Sequence, residues 1–161
     1  MKEKYNKGSR ERLMGVLNRF RAPKATMSVA LDKPQFSLSE PMKGKISVSS
    51  SEEFDADELR IELWVTEWTR AMEKKGSGED AVTVTAEQNA RLYEGKIAVA
   101  RRMRITKGFD KQFPFSIPLP PNIPPSYRGH NARNTWNLKG VVAVKGRPDV
   151  TSHIMEVQIS P

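Results

Sequence analysis

The sequence predicts an all-β protein, two packed antiparallel sheets preceded by one short amphipathic helix. Three observations point there. Apolar residues alternate with polar ones at period two in at least six separate stretches, which is the signature of half-buried strands. Phe113–Gly129, FPFSIPLPPNIPPSYRG, holds six prolines in 17 positions, so neither a helix nor a central strand can run through it. Beyond residue 22 no amphipathic helix separates the strand patterns, which excludes alternating α/β architectures and favours a sandwich.

The elements follow in order. Ser9 is placed to cap a helix over Arg10–Phe20, with Glu11 in its first turn. Leu13, Val16, Leu17 and Phe20 fall on one side of it. Arg21–Pro23 ends it. Met27, Val29 and Leu31 then mark a first strand, and Ile46 with Val48 a second. Leu59–Thr69, Val82–Thr85, Leu92–Ile105 and Phe113–Leu119 continue the pattern, the last as an extended edge leading into a crossover that ends in a turn at Ser126–Gly129. Trp136, Leu138, Val142 and Val144 share a face, and Met155, Val157 and Ile159 close the chain. Loops are expected at Lys74–Asp80 and Gly146–Asp149, where Gly, Pro, Asp or Ser gather. The expected core is Val29, Ile46, Ile61, Leu63, Phe115, Trp136, Leu138 and Val142. In RIELWVTEWT, Ile61, Leu63 and Val65 face one way and Trp64 and Trp68 the other. Only one face can meet the core, so the indoles need another cover, and the N-terminal helix is the expected one.

Two units are expected: a basic arm with its helix over 1–22 and a sandwich over 23–161. The charge divides in the same place. Of the formal net +8, residues 1–24 contribute eight Lys or Arg against two Glu, leaving the remainder nearly balanced. That distribution disfavours nucleic acid as the partner, since a nucleic-acid-binding domain carries its basic face on the folded body. Cys is absent, which excludes disulfides and thiolate metal sites and fits a cytoplasmic location. His130 and His153 are the only imidazoles and have no metal-ligand spacing. No apolar run reaches the roughly 20 residues that cross a bilayer. No phosphate loop, dinucleotide fingerprint, HExxH, GxSxG or EF-hand pattern occurs. Glu52, Glu53, Asp55, Asp57 and Glu58 lack the ordered spacing of a Ca²⁺ loop and are expected in a solvated turn. Ser126 near His130 has no orienting acid and reads as a turn residue. No catalytic residue, cofactor or metal is therefore expected.

Taken together, the segments resemble the N-terminal domain of the arrestin superfamily, and most closely its prokaryotic branch related to the sporulation-control protein. The resemblance rests on MSVALDKPQFSLSEPMKGKISV, on FPFSIPLPPNIPPSYRG and on NTWNLKGVVAV, within Pro23–Pro161. It implies an immunoglobulin-like sandwich and a non-enzymatic scaffold or adaptor that binds other proteins through sheet edges or concave faces. One departure is Leu38–Ser39–Glu40–Pro41, where the family commonly has Pro-Gly-Glu, so a differently shaped turn is expected. Longer relatives carry two such sandwiches, whereas this chain stops after one, at VQISP.

Two surfaces are candidates for contact. Leu13, Val16, Leu17, Phe20, Trp64 and Trp68 form a possible partner, self-association or anionic-membrane surface, the membrane form making the protein a peripheral adaptor. Arg101, Arg102, Arg104 and Lys107 form a possible surface for an anionic partner, against the plainer reading of a wet sheet face. An RNA-binding module using those arginines and the basic arm is the main alternative function.

Overall fold

The computed structural model describes residues 15–17 and 19–161. It contains ten strands: β1 Ala25–Leu31, β2 Gln35–Ser37, β3 Met42–Ser50, β4 Phe54–Lys75, β5 Val82–Ile105, β6 Phe109–Ile117, β7 Tyr127–Arg128, β8 Ala132–Val144, β9 Val150–Thr151 and β10 Met155–Ser160. They make two sheets, a three-stranded one in the order β1-β3-β6 and a larger one in the order β2-β10-β8-β4-β5, with β7 and β9 added to β8. The pairing is antiparallel except between β10 and β2, which run parallel. The expected sandwich is present.

Alternation builds its core. β3 buries Met42, Gly44, Ile46 and Val48 between exposed Lys43 and Lys45 and half-buried Ser47. β4 buries Leu59, Ile61, Leu63 and Val65, and β8 buries Trp136, Leu138, Val142 and Val144. Seven of the eight expected core residues are buried. The eighth, Val29, is half-buried on the outermost strand β1 and packs against the core from its rim. Gly44 answers a close approach: a Cβ there would strike the Ala30 carbonyl oxygen and come within 2.8 Å of the Phe115 ring.

The proline segment behaves as its chemistry requires. Pro114 sits in β6, the edge of the smaller sheet, where a missing N–H disturbs no ladder. Beyond β6 the chain crosses to the other sheet, held by donors from β8. Asn134 Nδ2 donates to the carbonyls of Pro124 (2.7 Å) and Pro125 (2.8 Å), and Trp136 Nε1 donates to Pro124 (2.9 Å). Tyr127 and Arg128 then pair with β8 as a short strand, so the turn lies later than expected, with the Gly129 N–H donating to Ala132.

Three further expectations need correction. Val82–Thr85 and Leu92–Ile105 are one 24-residue strand, because Ala86–Arg91, weak in β-propensity, is paired residue by residue with β4. The acidic run is not a loose turn: Asp55, Asp57 and Glu58 lie in β4. Most of the helix expected over Arg10–Phe20 falls outside the described residues, including Leu13. Within them, 15–17 are helical and Arg19 and Phe20 form a turn. Val16, Leu17 and Phe20 are 52%, 61% and 80% exposed, so they do not cover the indoles. The turn at Leu38–Glu40 uses no left-handed residue. The turn is thus shaped differently from the family's glycine turn, with Glu40 accepting the Ser37 N–H at 2.6 Å.

Candidate partner-binding surface

The larger sheet turns one face to solvent, and both tryptophans of β4 lie on it, half-buried. Their cover comes from the sheet itself. The Arg91 guanidinium lies 5.6 Å from the centroid of Trp64, and those of Arg70 and Arg133 lie 5.1 Å and 5.6 Å from that of Trp68. Register explains this: Trp68 pairs with Arg133 of β8, and Thr66, between the indoles, pairs with Arg91 of β5. Glu87 accepts from Arg70 at 2.9 Å and from the Trp68 indole at 3.4 Å. Those two donors, Arg70 foremost, hold the Glu87 carboxyl below its ordinary value. Trp64 and Trp68 are thus apolar platforms with charged lids. Trp residues four apart with arginines nearby in strand patterns were the sequence signal for this arrangement.

The four basic candidates lie at the other end of the same hairpin. Arg101 pairs with Glu58 and Arg104 with Asp55 in the β4–β5 register. Arg104 donates to Asp55 at 2.7 Å and also to Glu53, and these carboxylates raise its already high pKa, Asp55 most. Arg101, Arg102 and Lys107 are exposed and make no ion pair among the described residues. Arg102, Arg104 and Lys145 border a shallow concavity of about 300 Å³ together with Asp55, Ala56, Asp57 and Met103. Trp64 lies nine positions beyond Asp55 on β4, about 30 Å of strand. The arginines and the indoles therefore lie too far apart to form one surface.

Two further features were not foreseen. β4 parts from β8 after Thr69, which pairs with Ala132, yet continues paired with β5 to Lys75 and Val82. The result is a two-stranded ribbon projecting past the sandwich, with every residue from Arg70 to Thr83 exposed, including Met72 (82%) and Val82 (60%). No alternation of burial marks such a ribbon, so periodicity reads its polar portion as loop. The second feature is a clasp at the root of the N-terminal arm. Arg147 donates to the Arg21 carbonyl (3.0 Å) and to Glu52 (2.6 Å), and Glu52 accepts the Lys24 N–H (2.9 Å).

Ser126 is committed to structure: its hydroxyl accepts the Ile159 N–H and donates to the Val157 carbonyl. Among the described residues, no three His, Asp or Glu side chains converge as metal ligands, and no helix is long and apolar enough to cross a membrane.

The fold has counterparts among known proteins. The crystal structure of Spo0M, a sporulation control protein from Bacillus subtilis, superposes with a TM-score of 0.60 at 16% identity, over 87% of this chain and 51% of that one. The chain thus spans about half the length of that protein. A β-glucosidase from Listeria innocua in complex with glucose aligns over 89% of this chain and 17% of its own, at 10% identity and a TM-score of 0.35. No curated protein matches the sequence. The family Arrestin (or S-antigen), N-terminal domain, matches residues 27–161. From β1 through the proline crossover to β10, the chain belongs to the arrestin family as an N-terminal-domain sandwich.

Proposed function

We propose that this domain is a non-enzymatic adaptor of arrestin type that acts in the cytoplasm by binding another protein. The observation that carries the reading is the projecting ribbon. Arg70–Lys75 and Val82–Thr83 add nothing to the core, yet they hold a regular ladder and expose Met72 and Val82. An isolated two-stranded ribbon is marginal in water, and exposed apolar side chains at its end suit a protein contact. Likeness to a sporulation control protein supports a regulatory setting for that contact.

The test joins Ala71 to its partner Ala86 through an Asn-Gly turn, removing Met72 and Val82 while keeping Arg70 and Glu87 at Trp68 and the register beneath them. Pull-downs from the native cell with the intact and trimmed chains, with and without nuclease, then read out partners. The expected result is a protein partner that survives nuclease and is lost on trimming, with an unchanged melting temperature. Salt-sensitive recovery of RNA alone overturns the reading in favour of an RNA-binding module.

The exposure of Val16, Leu17 and Phe20 supports a second contact surface at the N-terminal arm, flanked by Arg19 and Arg21. Flotation with anionic vesicles tests it. Binding lost on Val16→Ser, Leu17→Ser and Phe20→Ser together supports a peripheral membrane contact; no binding by the intact chain removes it.

A further inference from the structure

The outermost strand of the larger sheet offers a second contact for the partner beyond the ribbon, an inference that rests on the protein-binding reading above. We propose that the free edge of β5 between Tyr93 and Ile105 receives an extended acidic segment of another protein as an added strand.

Three observations converge on that edge. β5 ends the order β2-β10-β8-β4-β5, and among the described residues no backbone hydrogen bond reaches Tyr93–Ile105 except from β4. An unpaired strand of this length offers a row of donors and acceptors to an incoming strand. The second observation is an apolar strip left half-covered. Tyr93, Ile97 and Met103 of β5 pair with Val65, Ile61 and Ala56 of β4; the β4 residues are buried and the β5 residues are not. β6, joined to β5 by the turn Thr106–Gly108, is the edge of the facing sheet, and its Phe109 and Phe113 are likewise half-buried. Alternate side chains of an added strand would complete this cover.

The third observation is charge. From Gly95 to Gly108 the chain carries five basic residues, Lys96, Arg101, Arg102, Arg104 and Lys107, and no acidic one. Glu53 and Asp55 occupy Arg104, and the other four make no ion pair among the described residues. Two copies of this edge would bring like charges together, which destabilises strand pairing. A strand bearing carboxylates gains where a second copy loses. Register shifts at Leu92 and Val99 divide the edge into two regular stretches, Tyr93–Ala98 and Ala100–Ile105, each long enough for a short added strand.

The test uses the full chain and a fluorescein-labelled synthetic peptide alternating Glu with Val or Thr, read by anisotropy and by backbone hydrogen exchange. Binding should weaken with salt and protect amides of β5. The double variant Arg101→Gln/Arg102→Gln, which removes both charges without setting a carboxylate opposite Glu58, should bind at least tenfold more weakly without a change in melting temperature. N-methylating alternate amides yields two complementary peptides, and only the one whose blocked amides face β5 should lose binding. Equal behaviour of the two, protection centred on another edge, equal or tighter binding of an oligouridine of matched charge, or no binding of the peptide overturns the proposal. A native protein partner retained fully by the double variant also overturns the edge while leaving the adaptor reading intact. Absence of any protein partner for either chain sinks that reading and this inference with it.

Discussion

The indole N–H of Trp136 donates to the carbonyl of Pro124 at 2.9 Å, which joins the largest buried side chain of the core to the proline crossover. The crossover contributes few donors of its own, since each proline lacks an N–H. Its carbonyls still need partners where they meet the sandwich. Trp136 and Asn134, two apart on the same face of β8, supply three donors to two consecutive carbonyls. One strand thus fills the core and anchors the connection between the sheets.

Removing these donors should therefore destabilise the domain by different routes. Asn134→Ala strips two part-buried hydrogen bonds from the Pro124 and Pro125 carbonyls and should cost about 1–3 kcal/mol. Trp136→Ala adds a cavity and should cost about 3–5 kcal/mol. Urea midpoints measure both, and an unchanged midpoint for Asn134→Ala would show that the two proline carbonyls find other partners.

Gly44→Ala should destabilise by overpacking, about 1–3 kcal/mol, because the new Cβ meets both the Ala30 carbonyl and the Phe115 ring. Phe115→Ala alone should cost about 3–5 kcal/mol. The double variant should be more stable than the sum predicts, since shortening Phe115 removes part of the clash. Strict additivity in a double-mutant cycle would place the whole penalty on the backbone contact with Ala30.

Acid should loosen the clasp at Glu52. The Arg147 guanidinium and then the Lys24 N–H hold the Glu52 carboxyl below its ordinary value of 4.5. A carboxyl with a depressed folded-state pKa contributes its full stability above the ordinary value and loses it as pH falls through the lower folded value. Glu52→Gln should lower the melting temperature at neutral pH, and the gap to wild type should narrow as the pH drops below 4.5. A gap independent of pH would assign the effect to packing rather than charge.

The stacked arginines govern the environment of the outer indoles. Arg70→Ala combined with Arg133→Ala should red-shift tryptophan emission and raise acrylamide quenching, with a stability loss of about 0.5–1 kcal/mol for each stacked pair. Phe20→Ala and Leu17→Ala should leave emission unchanged, because both side chains point into solvent. A red shift in those variants, with none in the arginine pair, would reverse the assignment.

Period-two alternation marked the core, because a strand in a sandwich buries one face: Ile46, Ile61, Leu63 and Trp136 were legible in the sequence, whereas Val29, marked by the same period, is only half-buried because β1 is an edge strand. Six prolines determined that Phe113–Gly129 is an extended crossover, since φ and donor loss are local properties. The candidate cations Arg101, Arg102, Arg104 and Lys107 were legible as residues but not as a surface. Only the tertiary structure decided that Arg104 is neutralised by Glu53 and Asp55 and that its neighbours border the free edge of β5. It also decided that Trp64 and Trp68 are covered by arginines from neighbouring strands rather than by Val16, Leu17 and Phe20. The physical reason is the same throughout: burial pattern and backbone restriction belong to a segment alone, whereas ion pairing, stacking and edge exposure depend on strand order and register, which join residues far apart in the chain.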